Sequence, residues 1–342
     1  MKDEKNYSLK EHNTFGIDAK CSRFLEYETE EEAIEVAEIL RKEQRPYIII
    51  GGGSNLLLTK DFDGIVVHSA IKGWEFEESE DGSQAADVRM TCGSGETWDD
   101  MVAKSIEAGC YGMENLSLIP GDVGASAVQN IGAYGMEAKD LILCVCMIEI
   151  ATGKSLMIAN EECDYGYRQS RFKKDWKNRF LITKVTYGLS KTFRPHLDYG
   201  NIRAELERKG ITEPTAQQLR DTIIDIRNAK LPDPKVEGNA GSFFMNPVVA
   251  RKKYEALAAL YPEMPHYKVD DCHEKIPAGW MIEQCGWKGK TLGRAGVHDK
   301  QALVLVNRGG ATGAEIVALC DAIRADVKAK FGIDISPEVN II

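Results

Sequence analysis

Gly51-Gly52-Gly53-Ser54-Asn55 directly follows the apolar run Tyr47–Ile50. Glycines there let the backbone take positive φ and approach a ligand with no Cβ in the way. Successive amides in such a turn can converge on one anion, a diphosphate for example, and Ser54 and Asn55 add side-chain donors. G-x-G-x-x-G is absent and no helix follows at once, so this is not the dinucleotide fingerprint; a plain tight turn is the alternative. A second segment, Leu118 to Gly135, contains Ile119, Pro120, Gly121, Gly124, Ala125, Gln129, Asn130, Gly132, Ala133 and Tyr134. Its glycines stand beside small and apolar residues. That suits a backbone wrapped around a large planar or phosphorylated group better than a structural loop, which is normally shorter and more polar.

Two further segments carry side chains that could meet a substrate. Around Gly166, Tyr165, Tyr167, Arg168 and Arg171 make either a solvated turn or an anion clamp, because the fixed donor fork of Arg matches a carboxylate. Gly238–Pro247 brackets Ser242 with small residues and leaves its hydroxyl accessible. With no G-x-S-x-G elbow and no evident His/Asp pair, Ser242 reads as a hydroxyl donor or acceptor beside a substrate and not as a hydrolytic nucleophile. Arg308–Gly313 joins a strand to a helix and could cradle phosphate, but it lacks the Walker Lys, and an N-capped connection explains it. The nine cysteines are odd in number and show no C-x-x-C. They read as reduced thiols, mostly buried. Cys144 and Cys146 lie two apart and share a strand face, but a tight metal site needs three or four ligands. The histidines show no H-E-x-x-H spacing, and no catalytic metal is expected.

The elements that must position these groups can be read from periodicity. Arg23–Tyr27 is expected as a strand. Thr29 and Glu32 form a capping box for a helix to about Gln44, with Ala33, Val36, Ala37 and Leu40 on one face. Strands at Tyr47–Ile50 and Ile65–His68 complete a β-α-β-β unit. Val88–Thr91 reads as a strand and Thr97–Gly109 as a helix. Gly112–Gly135 holds too many glycines for regular structure. Leu141–Ile150, Ser155–Ile158 and Phe180–Leu189 alternate like antiparallel strands, the first turn being Ala151–Lys154. Helices are expected at Thr215–Ala229, Val249–Leu260, Gly279–Cys285 and Thr312–Phe331, the last with a capping box of Thr312 and Glu315. Strands follow at Ala302–Val306 and Ile335–Ile342.

The 342 residues suit two or three domains. A charge of −10, from 43 basic and 53 acidic residues, disfavours nonspecific nucleic-acid binding. No apolar run approaches the ~20 residues that span a bilayer. The charged start, Met1-Lys2-Asp3-Glu4-Lys5, has no apolar segment behind it, so no secretory signal and a cytoplasmic location are expected.

Seven motifs then fall in order: Asn13-Thr14-Phe15, Gly51–Asn55, Ile119-Pro120-Gly121, Gln129–Gly135, Tyr167-Arg168-x-Ser170, Gly241-Ser242-Phe243-Phe244-x-Asn246-Pro247 and Pro337-Glu338-Val339. Together they resemble the UDP-N-acetylenolpyruvoylglucosamine reductase family over residues 10–342. His196–Gly200 and Ala278–Ile282 point to its longer form. The resemblance implies an α+β protein: a vanillyl-alcohol-oxidase/PCMH-type FAD-binding module of two α+β subdomains, 1–69 and 70–214, and a C-terminal α+β substrate-binding domain, 215–342. The last strand is expected to pack back on the first subdomain. It also implies noncovalent FAD against Gly51, Gly52, Gly53, Ser54, Asn55 and the 119–135 segment, and NADPH as hydride donor. The enolpyruvyl ether of UDP-N-acetylglucosamine would be reduced to UDP-N-acetylmuramate in peptidoglycan precursor synthesis.

Carried over position by position, Ser242 would donate the proton, and Arg168 and Glu338 would polarise the substrate carboxylate. Tyr167 would line the pocket, and Tyr199, Lys230, Asn246 and Gln301 would hold the UDP part. Small-molecule partners and a monomer are expected, with no membrane or nucleic acid. One position departs from the pattern: the basic residue expected two places after the Glu is Asn340, which Arg227 or Arg294 could make up for. The rivals are a sugar or alcohol oxidase with covalently anchored FAD, for which no attachment residue is evident, and a nucleotide sensor that kept the fold and lost turnover.

Overall fold

The computed structural model describes residues 1–79 and 86–342. The chain forms two compact units. The first comprises Met1–Tyr7, Cys21–Gly52 and Asp63–Ala229, and the second Ser8–Lys20, Gly53–Phe62 and Lys230–Ile342.

In the first unit, Thr29 caps the helix Glu30–Glu43 by accepting the Glu32 amide, and Gln44 ends it in the left-handed region. The helix buries Ala33, Val36, Ala37 and Leu40 against Leu25, Tyr27, Ile65, Val67 and Leu181. Its partner is a four-stranded sheet in the order Lys2–Ser8, Lys20–Tyr27, Phe62–Ser69, Tyr47–Ile50. Tyr47–Ile50 runs parallel to Phe62–Ser69, placing Ile50 beside His68 and the glycine turn at the strand's C-terminal end. The charged segment Lys2–Ser8 is an edge strand, where charge discourages further pairing.

A five-stranded antiparallel sheet follows, in the order Ser155–Ala159, Ile142–Glu149, Phe180–Leu189, Val88–Gly93, Trp74–Glu78. The helices Trp98–Glu107 and Val123–Gln129 share one core with it, built around Met90, Trp98, Val123, Val145 and Tyr187. The second helix corrects the expectation that Gly112–Gly135 is irregular throughout. Ala125, Ser126, Ala127 and Val128 favour or tolerate a helix. Gly124 is needed for proximity: a Cβ there would lie 3.0 Å from that of Ser94. Ala216–Lys230 buries Leu219, Ile223 and Ile226 with Ile202 and Leu206 of the helix Ile202–Arg208.

In the second unit, the sheet Gly238–Ser242, Val304–Asn307, Ala295–Val297, Thr291–Leu292 is covered by the helix Gly313–Phe331. Thr312 and Glu315 cap that helix reciprocally, and Gly332 closes it at positive φ. Gly313 runs so close to the chain that an added Cβ would lie 1.9 Å from the Leu58 carbonyl oxygen. The strand Asn340–Ile341 pairs in parallel with Leu56–Leu57. Among the described residues, no helix is long and apolar enough to cross a membrane.

Candidate active site

Within the first unit, the Gly51–Gly52 backbone packs on the start of the second glycine-rich segment. A Cβ on Gly51 would lie 3.0 Å from the Ala125 Cβ and 3.3 Å from Asp122 Oδ2. One on Gly52 would lie 3.1 Å from Asp122 Oδ1 and 3.3 Å from the Gly121 Cα. A side chain at either position would be crowded, so the sequence places bare backbone where two distant turns touch. Gly121 has φ +118, and Ile119 packs against the sheet core just before it, with exposed Pro120 between them. Asp122 is held in turn by His68, whose Nε2 is 3.3 Å from Asp122 Oδ2 and whose Nδ1 is 2.8 Å from Glu26 Oε2.

The far end of the segment is a small hairpin. Gly132–Ala133 pairs with Met136–Glu137, and Tyr134 (φ +48) and Gly135 (φ +83) make the two-residue turn. Positive φ at both central residues is what a type I′ hairpin turn demands. Tyr199 packs on this turn, its Cβ 3.3 Å from where a Gly135 Cβ would be. Asn130 is fully buried: its amide donates to the Gly166 carbonyl at 2.8 Å and to Glu137 at 3.1 Å, and its Oδ1 accepts the Lys139 amide. Asn130 therefore ties the segment to the Tyr167–Arg168 turn, and Ser170 does the same through the Val128 carbonyl at 2.7 Å. Gln129 accepts from Lys173 at 3.2 Å.

In that turn Gly166 and Gln169 exchange both backbone hydrogen bonds, leaving Tyr167 and Arg168 at its tip. Arg168 has φ +55, a strained value for a side-chain-bearing residue and one that clusters at functional sites. Its Nη2 donates to the Gly132 carbonyl at 2.8 Å, and its guanidinium lies 5.5 Å from the Tyr167 ring centre. Nearby is Arg227, whose Nε is enclosed without a hydrogen-bond partner. Burial works against the Arg227 charge and pulls its pKa down; Tyr134 and Asp99 oppose this, and Arg168 adds to it. Asp99 is itself spent on a two-pronged pair with Arg220 at 2.6 and 2.9 Å.

The second unit builds the serine. Gly241 has φ +66, and the pairing register shifts between Asn239 and Ser242, so a bulge re-aims Ser242 at the strand end. Buried Asn239 supports it by accepting the Gly241 amide at 2.9 Å. The motif Asn13-Thr14-Phe15 braces the same strand. Thr14 donates to the Asn239 carbonyl at 2.6 Å, and the Phe15 carbonyl accepts from Asn307. Ser242 is exposed. Glu338 lies beside it in sequence pairing, its amide donating to the Phe243 carbonyl at 2.8 Å.

Gly53, at φ +66, closes against His12, so a Cβ there would be 2.0 Å from the His12 carbonyl oxygen. Asn55 donates to the Glu338 carbonyl at 3.4 Å, so the glycine turn leads straight to the segment that carries Glu338. Asn340, the departure from the familiar ending, donates through its side chain to the Asn55 carbonyl at 3.1 Å. It holds backbone and supplies no charge. Of the two arginines that could compensate, Arg294 is paired with Glu315 at 2.8 Å, whereas Arg227 keeps its unpartnered Nε.

Asn246 accepts the Ala278 amide at 2.9 Å and so caps the helix Ala278–Gln284, and Gln301 Oε1 lies 3.2 Å from where a Gly279 Cβ would be. These two UDP-assigned residues thus meet at one helix start, while Lys230 is exposed at the end of its own helix. In Arg308–Gly313, Arg308 is consumed by Glu237 and Asp299, and Thr312 caps the next helix, as the capped-connection reading requires.

The arrangement defines a class first. The FAD binding domain family matches residues 22–158, so the chain is a flavoprotein of α+β architecture. The C-terminal domain of UDP-N-acetylenolpyruvoylglucosamine reductase matches residues 233–342. The reductase of Bacteroides fragilis is 55% identical over 99% of this chain and 100% of its own length. That of Flavobacterium johnsoniae is 45% identical over the whole of both. The crystal structure of the Thermus caldophilus reductase shares the fold at a TM-score of 0.67 and 22% identity, covering 100% of this chain and 99% of the other. The chain belongs to the UDP-N-acetylenolpyruvoylglucosamine reductase family, and it is an FAD-dependent oxidoreductase. The residues present fit FAD: bare glycine backbone at 51–52 meets 121–125, and the enclosed Arg227 Nε lacks the acceptor that an anionic group supplies.

Proposed function

We propose that this enzyme reduces the enolpyruvyl ether of UDP-N-acetylglucosamine to the lactyl ether of UDP-N-acetylmuramate, with NADPH as reductant, in peptidoglycan precursor synthesis. The observation that carries the site assignment is the exposed Ser242 at the Gly241 bulge, directly before Phe243, whose carbonyl accepts the Glu338 amide at 2.8 Å. FAD, when bound, supplies two-electron hydride chemistry; Gly51, Gly52, Gly53, Ser54, Asn55 and residues of the 119–135 segment would hold it.

The protein's own groups have three tasks. The substrate carboxylate must be gripped, and Arg168 supplies a fork of donors already aimed by its bond to Gly132. Negative charge that develops on the carbon beside that carboxylate must be stabilised. Glu338 can do so as a protonated or proton-sharing group, because an ionised carboxylate only accepts hydrogen bonds. One proton must reach the same carbon, and Ser242 donates it, the hydroxyl being reprotonated afterwards. Tyr167 would line this pocket, and Tyr199, Lys230, Asn246 and Gln301 would hold the uridine diphosphate. We also propose that the enzyme acts as a monomer in the cytoplasm.

The test is an absorbance spectrum of the purified protein followed by NADPH consumption with and without the enolpyruvyl nucleotide. A yellow protein that consumes NADPH rapidly only with the nucleotide is expected. A protein that binds the nucleotide and never turns it over would establish a sensor instead.

A further inference from the structure

The five-stranded sheet of the first unit has a second face, away from the helices Trp98–Glu107 and Val123–Gln129. On the Ile142–Glu149 strand, Val145 and Met147 are fully buried, while Cys144 and Cys146 alternate with them and are half-exposed. The strand register is regular from Cys144 to Cys146, so the two thiols share that outer face. On the next strand, Met157 stands directly opposite Cys146, and it is 71% exposed. Directly opposed residues on one face bring their Cβ atoms to about 5 Å, and a diagonal neighbour to about 7–8 Å, within reach of a long side chain. Met has three rotatable bonds and a polarizable sulfur, so its thioether can swing over the pair.

From this juxtaposition we infer a binding site for one soft monovalent cation of the Cu(I) class, formed by Cys144, Cys146 and Met157. The chemistry selects the ion. Two thiolates and one thioether are soft donors, which favour Cu(I), whereas zinc seeks four ligands drawn from Cys, His and carboxylates. Among the described residues, no group of three or more His, Cys, Asp and Glu could hold a metal, so this face offers no fourth hard ligand. Lys184 pairs with Cys146 and Thr186 with Cys144 across the opposite strand, placing a cation and a hydroxyl beside the sulfurs. Two Cys–SH groups and Cu(I) give a bis-thiolate complex and two released protons, with no change in oxidation state. The site is separate from the residues assigned to FAD and substrate, and the inference does not rest on the proposed reaction.

The experiment titrates the reduced, full-length flavoprotein anaerobically with Cu(I), in competition with a chromogenic Cu(I) chelator. One tight equivalent is expected, accompanied by a near-ultraviolet thiolate-to-copper band and the loss of two alkylatable thiols. Cys144→Ser and Cys146→Ser should each weaken binding by about 100-fold or more, and Met157→Leu by about tenfold, losses spanning the range seen when even outer-shell partners of a metal are removed. Cys272→Ser, which removes an exposed cysteine elsewhere, should leave binding unchanged. The flavin spectrum of each variant reports folding. Tight binding that survives both serine substitutions, or that disappears with Cys272, would overturn the site. Binding by both cysteines that is indifferent to Met157→Leu would overturn the three-sulfur assignment.

Discussion

His68 offers a sharp test of how the first unit is clamped. Its ring is 15% exposed, with Glu26 on Nδ1 at 2.8 Å and Asp122 on Nε2 at 3.3 Å. Ionised carboxylates only accept hydrogen bonds, so both ring nitrogens must carry protons for both bonds to form. Burial alone would lower the His68 pKa, but the bonds to Asp122 and Glu26 outweigh it and the pKa is raised. His68→Gln removes the shared charge and leaves two partly covered carboxylates facing each other. Hydrogen bonds to charged groups contribute about 1.5–3 kcal/mol each, and partial exposure trims that, so a net loss of about 1–3 kcal/mol is expected. In a unit of this size that lowers the melting temperature by roughly 2–10 °C. The sign with pH follows from linkage. A raised folded-state pKa gives stabilisation that is fully present below the ordinary histidine value of about 6.5 and is lost as pH rises through the folded value. Melting curves of the flavoprotein and its His68→Gln variant at pH 5.5, 7 and 8.5 should therefore differ most at pH 5.5, with the gap narrowing as pH rises. A gap that is flat, or that widens with pH, would refute the imidazolium clamp.

Other consequences are as direct. Gly53→Ala must combine positive φ with a Cβ 2.0 Å from a backbone oxygen, so a loss above about 4 kcal/mol is expected in chemical denaturation. Gly241→Ala shares φ +66 but meets nothing within 4 Å, and should cost only about 1–2 kcal/mol in the same assay. Ser242→Ala should leave flavin reduction by NADPH near normal and slow the nucleotide-dependent reoxidation about 10²–10⁴-fold in stopped flow; equal slowing of both half-reactions would remove Ser242 from the proton-donor role. Arg168→Lys keeps charge but loses the planar fork and the bond to Gly132, so turnover should collapse; near-normal turnover would count against a carboxylate clamp.

Much of this was legible before any fold was known. Thr29 and the pair Thr312–Glu315 announced their helices because capping is local chemistry, satisfied within one turn. The antiparallel run from 141 to 189 could be read from alternation, since strand period is also local. The glycine turns announced a close backbone approach, and ordered motifs carried the family. What stayed hidden depended on pairing between distant segments. Gly124 signalled a loop, yet it lies in a helix, and it is glycine because Ser94, thirty positions earlier, lies against it. Asn13-Thr14-Phe15 could be matched but not explained until Thr14 was found bracing Asn239. Asn340 looked like a missing charge and proved to be a backbone tie to Asn55. Cys144 and Cys146 lacked a third ligand until strand register set Met157 opposite. The residue types and their periods, set by the sequence alone, determined the elements and the chemistry on offer. Which side chains face one another was decided only by tertiary structure, because register and close packing join atoms whose separation along the chain carries no local signal.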